Sequence, residues 1–147
     1  MTDVTIEEAR KKTDLDGEFV SRLVSSLRQC EADGWEANME EYGFTVRQDH
    51  TVVPWGSECC FLGADMLQRL QHGEVRLPRW GRHSAICNVL GLSEDFVSGF
   101  NRATTALQLG ARTDAFPFHP DPDIRRGQEH AIAAWQMWTE TRWGRPA

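Results

Sequence analysis

Apolar positions recur every three or four residues over most of the chain, and that rhythm predicts helices. The clearest case spans about 16–33. Leu15, Phe19, Val20, Leu23, Val24, Leu27 and Cys30 form one stripe, and Arg22, Ser25, Ser26, Arg28 and Gln29 fill the other side. Asp14 or Asp16 can cap its start, and Gly34 is placed to end it. Upstream, Thr5-Ile6-Glu7-Glu8 has the form of a capping box and predicts a short helix over 5–12. A further helix over 57–72 opens at Ser57-Glu58, carries Leu62, Met66 and Leu70 on one stripe, and stops before Gly73. Two helices, 84–90 and 93–109, meet at Gly91-Leu92, and Gly110 ends the second. The last helix begins at Asp121-Pro122-Asp123, where Asp121 caps, Pro122 takes the first helical position and Asp123 faces the positive end of the dipole. It runs to about 142 and turns Ala131, Ile132, Trp135 and Trp138 inward.

The helical rhythm breaks between 35 and 56. Phe44-Thr45-Val46 and Thr51-Val52-Val53 are β-prone, with Gln48-Asp49-His50 between them, so a small hairpin is expected near 44–53. Pro54 ends it or confines it to an edge. Residues 74–83 form a connector, and 111–120, with Pro117 and Pro120, form a loop. The expected fold is mainly α: a single compact bundle of five to six helices with a small β-hairpin. One domain covers 1–147, with 1–4 and 144–147 frayed.

Composition adds bounds. A chain of 147 residues with 40% hydrophobic and 26% charged positions can bury a core without metal or disulfide. The net charge of -6 argues against generic polyanion binding and suits a basic partner. No apolar run approaches the ~18 residues of a membrane span. The N-terminus Met1-Thr2-Asp3-Val4 is polar and lacks a signal-peptide core, so a cytoplasmic location is expected. Cys30, Cys59, Cys60 and Cys87 include no CxxC pair. Cys30 and Cys87 fall in apolar helical patterns, and adjacent Cys59 and Cys60 on a helix point to different faces. All four read as structural free thiols.

One segment resembles a known family. Residues 86–102, ICNVLGLSEDFVSGFNR, resemble the helix-turn-helix core of DNA-binding domains. Cys87 is the small residue four before the turn, Gly91 is the turn glycine, and Ser93 caps the second helix. Ile86, Leu90, Leu92, Val97 and Phe100 take the pinning positions. The resemblance implies a recognition helix at a DNA groove, with Asn101 and Arg102 on it. Arg76, Arg79 and Arg82 would then lie on phosphates. Two features depart from the pattern. Glu94 and Asp95 stand where the second helix would meet phosphate, and Gly99 falls inside that helix. Trp35, Cys60-Phe61-Leu62-Gly63-Ala64 and Trp135 are also similar to a pattern in small uncharacterised helical proteins of actinobacteria and their phages, a group that brings no activity with it.

Signatures of chemistry are sparse. His119, Asp121, Asp123, Glu129 and His130 lie close in sequence. Asp123 and His130 can share a helix face, so His119, Asp123 and His130 are the candidate metal ligands, without the HExxH form. There is no GxSxG, no P-loop and no GxGxxG. Cys59 or Cys60 near a helix start is the one candidate reactive thiol, with Glu58 opposing its ionisation. Six tryptophans are many for this length. Trp80 and Trp143 are the candidate partner-facing aromatics. The leading expectation is a non-catalytic, cofactor-free binding or regulatory module acting through protein–protein contact, such as a phage or mobile-element accessory protein. The first alternative is a helix-turn-helix nucleic-acid-binding regulator. The second is a small-molecule-binding protein or enzyme with a tryptophan-lined pocket, using His119 or His130 as acid or base.

Overall fold

A computed structural model describes residues 17–70 and 82–142. The chain is mainly helical, with five helices and two small two-stranded sheets among the described residues. The expected 5–12 helix and the frayed ends lie outside those residues, as do most of the 74–83 connector, Arg76, Arg79, Trp80 and Trp143.

Helix α1 spans Gly17–Ala32 and buries the expected stripe: Phe19, Val20, Leu23, Val24, Leu27 and Cys30. It ends where predicted. Gly34 takes a φ of 98°, and the Trp35 N–H donates back to the Cys30 carbonyl at 2.9 Å. The chain then makes strand β1 (Glu36–Ala37), β2 (Phe44–Val46), β3 (Val52–Pro54) and β4 (Glu58–Cys59). The hairpin is present, with β2 antiparallel to β3 and Phe44 opposite Pro54. Its sheet has only two strands, so Pro54 sits on an edge, where its missing N–H costs nothing. A second, parallel pair joins β1 to β4, with Glu36 opposite Glu58 and Ala37 opposite Cys59. The spacing predicts a helix from Ser57, but residues 57–60 are not helical. Glu58 and Cys59 are held in the β1–β4 ladder, and helix α2 starts later, at Phe61–Leu70.

Helix α3 (Arg82–Leu90) and helix α4 (Glu94–Gln108) meet at the predicted corner. Gly91 adopts a φ of 70°, a left-handed conformation costly for any residue with a Cβ. Ser93 caps α4: its hydroxyl accepts from the Phe96 N–H at 3.0 Å. Helix α5 (Pro122–Arg142) starts at the Asp121 cap, whose carboxylate accepts from the N–H groups of Asp123 and Ile124.

The core gathers where these helices meet. Phe61 of α2 packs edge-on against Phe100 of α4 and Trp138 of α5, at centroid distances of 6.3 and 5.9 Å. Phe19 reaches Phe96 in the same way. Glycines set the closest approach. A Cβ on Gly99 would strike the backbone of Ile124, and one on Gly127 would strike the backbone of Phe96. The glycine that departs from the helix-turn-helix pattern is thus where α4 and α5 touch backbone to backbone. Buried Asp65 of α2 ties that helix to α1. Its carboxylate accepts from Ser26 at 3.0 Å and pairs with Arg22 and Arg69 at 3.3 and 3.4 Å.

Candidate functional site

The α4 sequence divides the helix into three strips. Phe96, Val97, Gly99, Phe100, Ala103, Thr104 and Leu107 are buried. Asp95 and Arg102 are exposed, and Ser98 between them is half-buried. Asn101, Thr105 and Gln108, spaced i, i+4 and i+7, form the third strip. The 38–42 loop crosses over this third strip and is fastened to it at both ends. At one end the Gln108 carboxamide accepts from the Met39 N–H at 2.7 Å and donates to Asn38 Oδ1 at 3.2 Å. At the other, Asn101 Nδ2 donates to the Tyr42 hydroxyl at 2.7 Å.

The loop is also braced from behind. The Tyr42 ring stacks on Phe44 at 5.4 Å. Its backbone lies so close to Gly63 that a Cβ there would meet the Tyr42 carbonyl. Gly43, at a φ of 83°, has no room for a Cβ, which would fall 2.9 Å from both Cys59 Cβ and the Glu58 carbonyl. Asn38 Nδ2 donates to the Glu58 carboxylate at 3.1 Å, linking the loop to β4.

Between the two fastenings lies an open cavity of about 360 Å³, lined by Met39, Glu40, Tyr42, Asn101 and Thr105. Its chemistry is one-sided. Glu40 supplies a carboxylate, Tyr42 and Thr105 supply hydroxyls, and among the described residues no Lys, Arg or His lines it. Asn101 Oδ1 is buried without a hydrogen-bond partner in the protein. Trp55 stands nearby along the chain, directly after β3, with its N–H donating to the Gly43 carbonyl at 2.9 Å. Its side chain is 60% exposed.

The other expected site residues are distributed differently. Asn101 belongs to this cavity and is engaged by Tyr42, whereas Arg102 points to solvent on the neighbouring strip. Arg82 opens α3, and its side chain falls outside the described residues. Ile86, Leu90, Leu92, Val97 and Phe100 are all buried, as the helix-turn-helix resemblance expects of the corner. The outward part of α4 nevertheless begins with exposed Glu94 and Asp95.

The two candidate histidine ligands are engaged in local structure. His119 Nδ1 accepts from the Asp121 N–H at 3.0 Å. His130 Nδ1 lies 2.7 Å from the Arg126 carbonyl, and its ring rests on Phe96 and Phe19. Asp123 is exposed in the first turn of α5. Among the described residues, no group of three or more His, Cys, Asp or Glu side chains is placed to hold a metal ion.

All four cysteines are free. Cys59 donates to the Cys30 sulfur, which holds the Cys59 thiol well above its ordinary range, with burial acting in the same direction. The same pairing draws the Cys30 thiol below its ordinary range, and Cys30 is only 1% exposed. Burial pushes Cys60 up to about 11, the opposite of the lowering that a reactive thiol at a helix start needs. Burial likewise raises half-buried Cys87 to about 11.

Trp55 was not among the expected partner-facing residues. The usable signal was its place between Pro54, which ends an edge strand, and Gly56, which turns at a φ of 79°. A tryptophan between two chain-turning residues has few neighbours to bury it. No protein-family model, curated protein or solved structure matches this chain.

Proposed function

We propose that this protein is a non-catalytic binding module that works through protein–protein contact, with the face formed by the 38–42 loop, Trp55 and α4 as its contact surface. The observation that carries the reading is Trp55, a large aromatic left 60% exposed beside a braced loop. Tryptophan is the residue most enriched among the anchors that dominate interface energies, since one ring removes a large apolar area from water on contact. The brace matters for the same reason. A loop already fixed by Gln108, Asn101 and Gly63 loses little conformational freedom on binding. The net charge of -6 favours a partner with a basic surface.

No helix among the described residues is long and apolar enough to cross a membrane. Affinity capture from host lysate, with wild type and Trp55→Ala side by side, tests the reading. One stoichiometric protein partner, retained by wild type and lost by the variant, is the expected result. Equal capture by both proteins, or none by wild type, would overturn it. Duplex DNA at low salt is expected to bind neither protein. A salt-sensitive DNA shift lost on Arg79→Ala/Arg82→Ala would instead support the nucleic-acid reading.

A further inference from the structure

We infer that the cavity beneath the 38–42 loop receives a guanidinium or alkylammonium group on a flexible stem. On the binding-module reading above, this is a basic side chain of the protein partner. The inference rests on what lines the cavity and what does not. Glu40 offers a carboxylate, Thr105 and Tyr42 offer hydroxyl oxygens, and Met39 offers an apolar wall. Among the described residues, no cationic side chain lines it and none is ion-paired with Glu40. Asn101, which lines the cavity, holds the Tyr42 hydroxyl in place by donating to it at 2.7 Å.

A guanidinium supplies five N–H donors and no acceptor, and an ammonium supplies three. Either suits an acceptor-rich wall, whereas a carboxylate or phosphate would meet Glu40 as a like charge. The volume of about 360 Å³ is near the lower end of ligand sites, enough for one long side chain and too small for a folded element. The Met39 wall fits the methylene stem that Arg and Lys carry behind the charge. Two fastenings hold the cavity open without a ligand: Gln108 to Met39 and Asn38, and Asn101 to Tyr42.

The test uses the full chain and four probes: capped arginine, capped lysine, capped citrulline and agmatine. Citrulline keeps the shape of arginine and loses its charge. Backbone amide shifts report where each probe binds. Capped arginine or lysine should move the amides of Met39–Tyr42 and Asn101–Thr105, and citrulline should bind on the order of tenfold more weakly. Glu40→Gln, a change at an exposed loop residue, should weaken the cationic probes by a similar factor and leave the fold intact. Agmatine distinguishes the sources. Binding weaker than that of capped arginine supports a side chain presented by a polypeptide, and tighter binding supports a free small cation in the same site. Citrulline binding as well as arginine, an unchanged affinity in Glu40→Gln, or shifts confined to other residues would overturn the inference. This failure is separable from failure of the binding-module reading. A partner still captured through Trp55 but indifferent to Glu40→Gln removes the cavity proposal alone.

Discussion

Gly99 and Gly127 show how much a missing side chain can decide. Each lies where a helix backbone meets its neighbour, and a Cβ at either would strike the facing backbone, which cannot move aside as a side chain can. Helix propensity alone favours alanine at both by about 1 kcal/mol, but overpacking a tight contact costs roughly 1–3 kcal/mol or more. Gly99→Ala and Gly127→Ala should therefore each lower the denaturation midpoint. Gly17→Ala, with nothing within 4 Å of its Cβ, should leave it unchanged or raised. Asp65 acts through charge at the same scale. It is 2% exposed and shared by Ser26, Arg22 and Arg69. Asp65→Ala removes the one acceptor that Ser26, Arg22 and Arg69 share and should lower stability in a denaturant titration by on the order of 1–3 kcal/mol. Cys60 sets a pH dependence. Its folded thiol stays protonated to about 11, against an ordinary value of 9.0. The stability it contributes is full below pH 9 and is lost as the pH rises through 11, because the unfolded thiol ionises first. Cys60→Ala should show a shallower loss of stability than wild type across that window.

At the scale of elements, helices with a full amphipathic stripe were legible in the sequence, and the short pairings were not. The rhythm over 16–33 located α1 because six of the apolar residues in its stripe are buried along one face, while Ser26, read as polar surface, is buried against Asp65. The α3–α4 corner was legible because Gly91 and Ser93 carry local chemistry that any context needs. Residues 57–60 were misread because Ser57-Glu58 looks like a helix start. What overrides it is a partner twenty-two residues upstream: Glu36 pairs with Glu58 in a parallel ladder that no local pattern records. The candidate site was hidden for the same reason. Asn101 was legible as polar on α4, but its contact with Tyr42 and the crossing of the 38–42 loop are long-range facts. Ser93→Ala tests the corner directly. Loss of the cap should lower stability by about 1 kcal/mol, with the native amide spectrum retained. A collapse of that spectrum would mean that the corner depends on far more than its cap.

Across the whole molecule, the described parts divide the work. The helices supply a core centred on Phe61, Phe100 and Trp138, and the irregular 36–59 stretch is braced on α4 and α2 and carries the exposed tryptophan. The thiols are sealed in the core or raised by burial, the histidines nearest a cluster are engaged locally, and acidic residues open the free strip of α4. Among the described residues the exposed large apolar side chains are Trp55, Leu109 and Phe118, and the contact surface proposed above is the one that carries Trp55. An acidic surface of this kind should also bind a basic partner faster at low salt than at high salt, which stopped-flow association measures. The most direct measurement is hydrogen exchange on the captured complex compared with the free protein. New protection concentrated at Met39–Tyr42, Trp55 and Asn101–Thr105 is the result predicted here. Protection confined to the Glu94–Arg102 strip, with the loop and Trp55 unchanged, would contradict it.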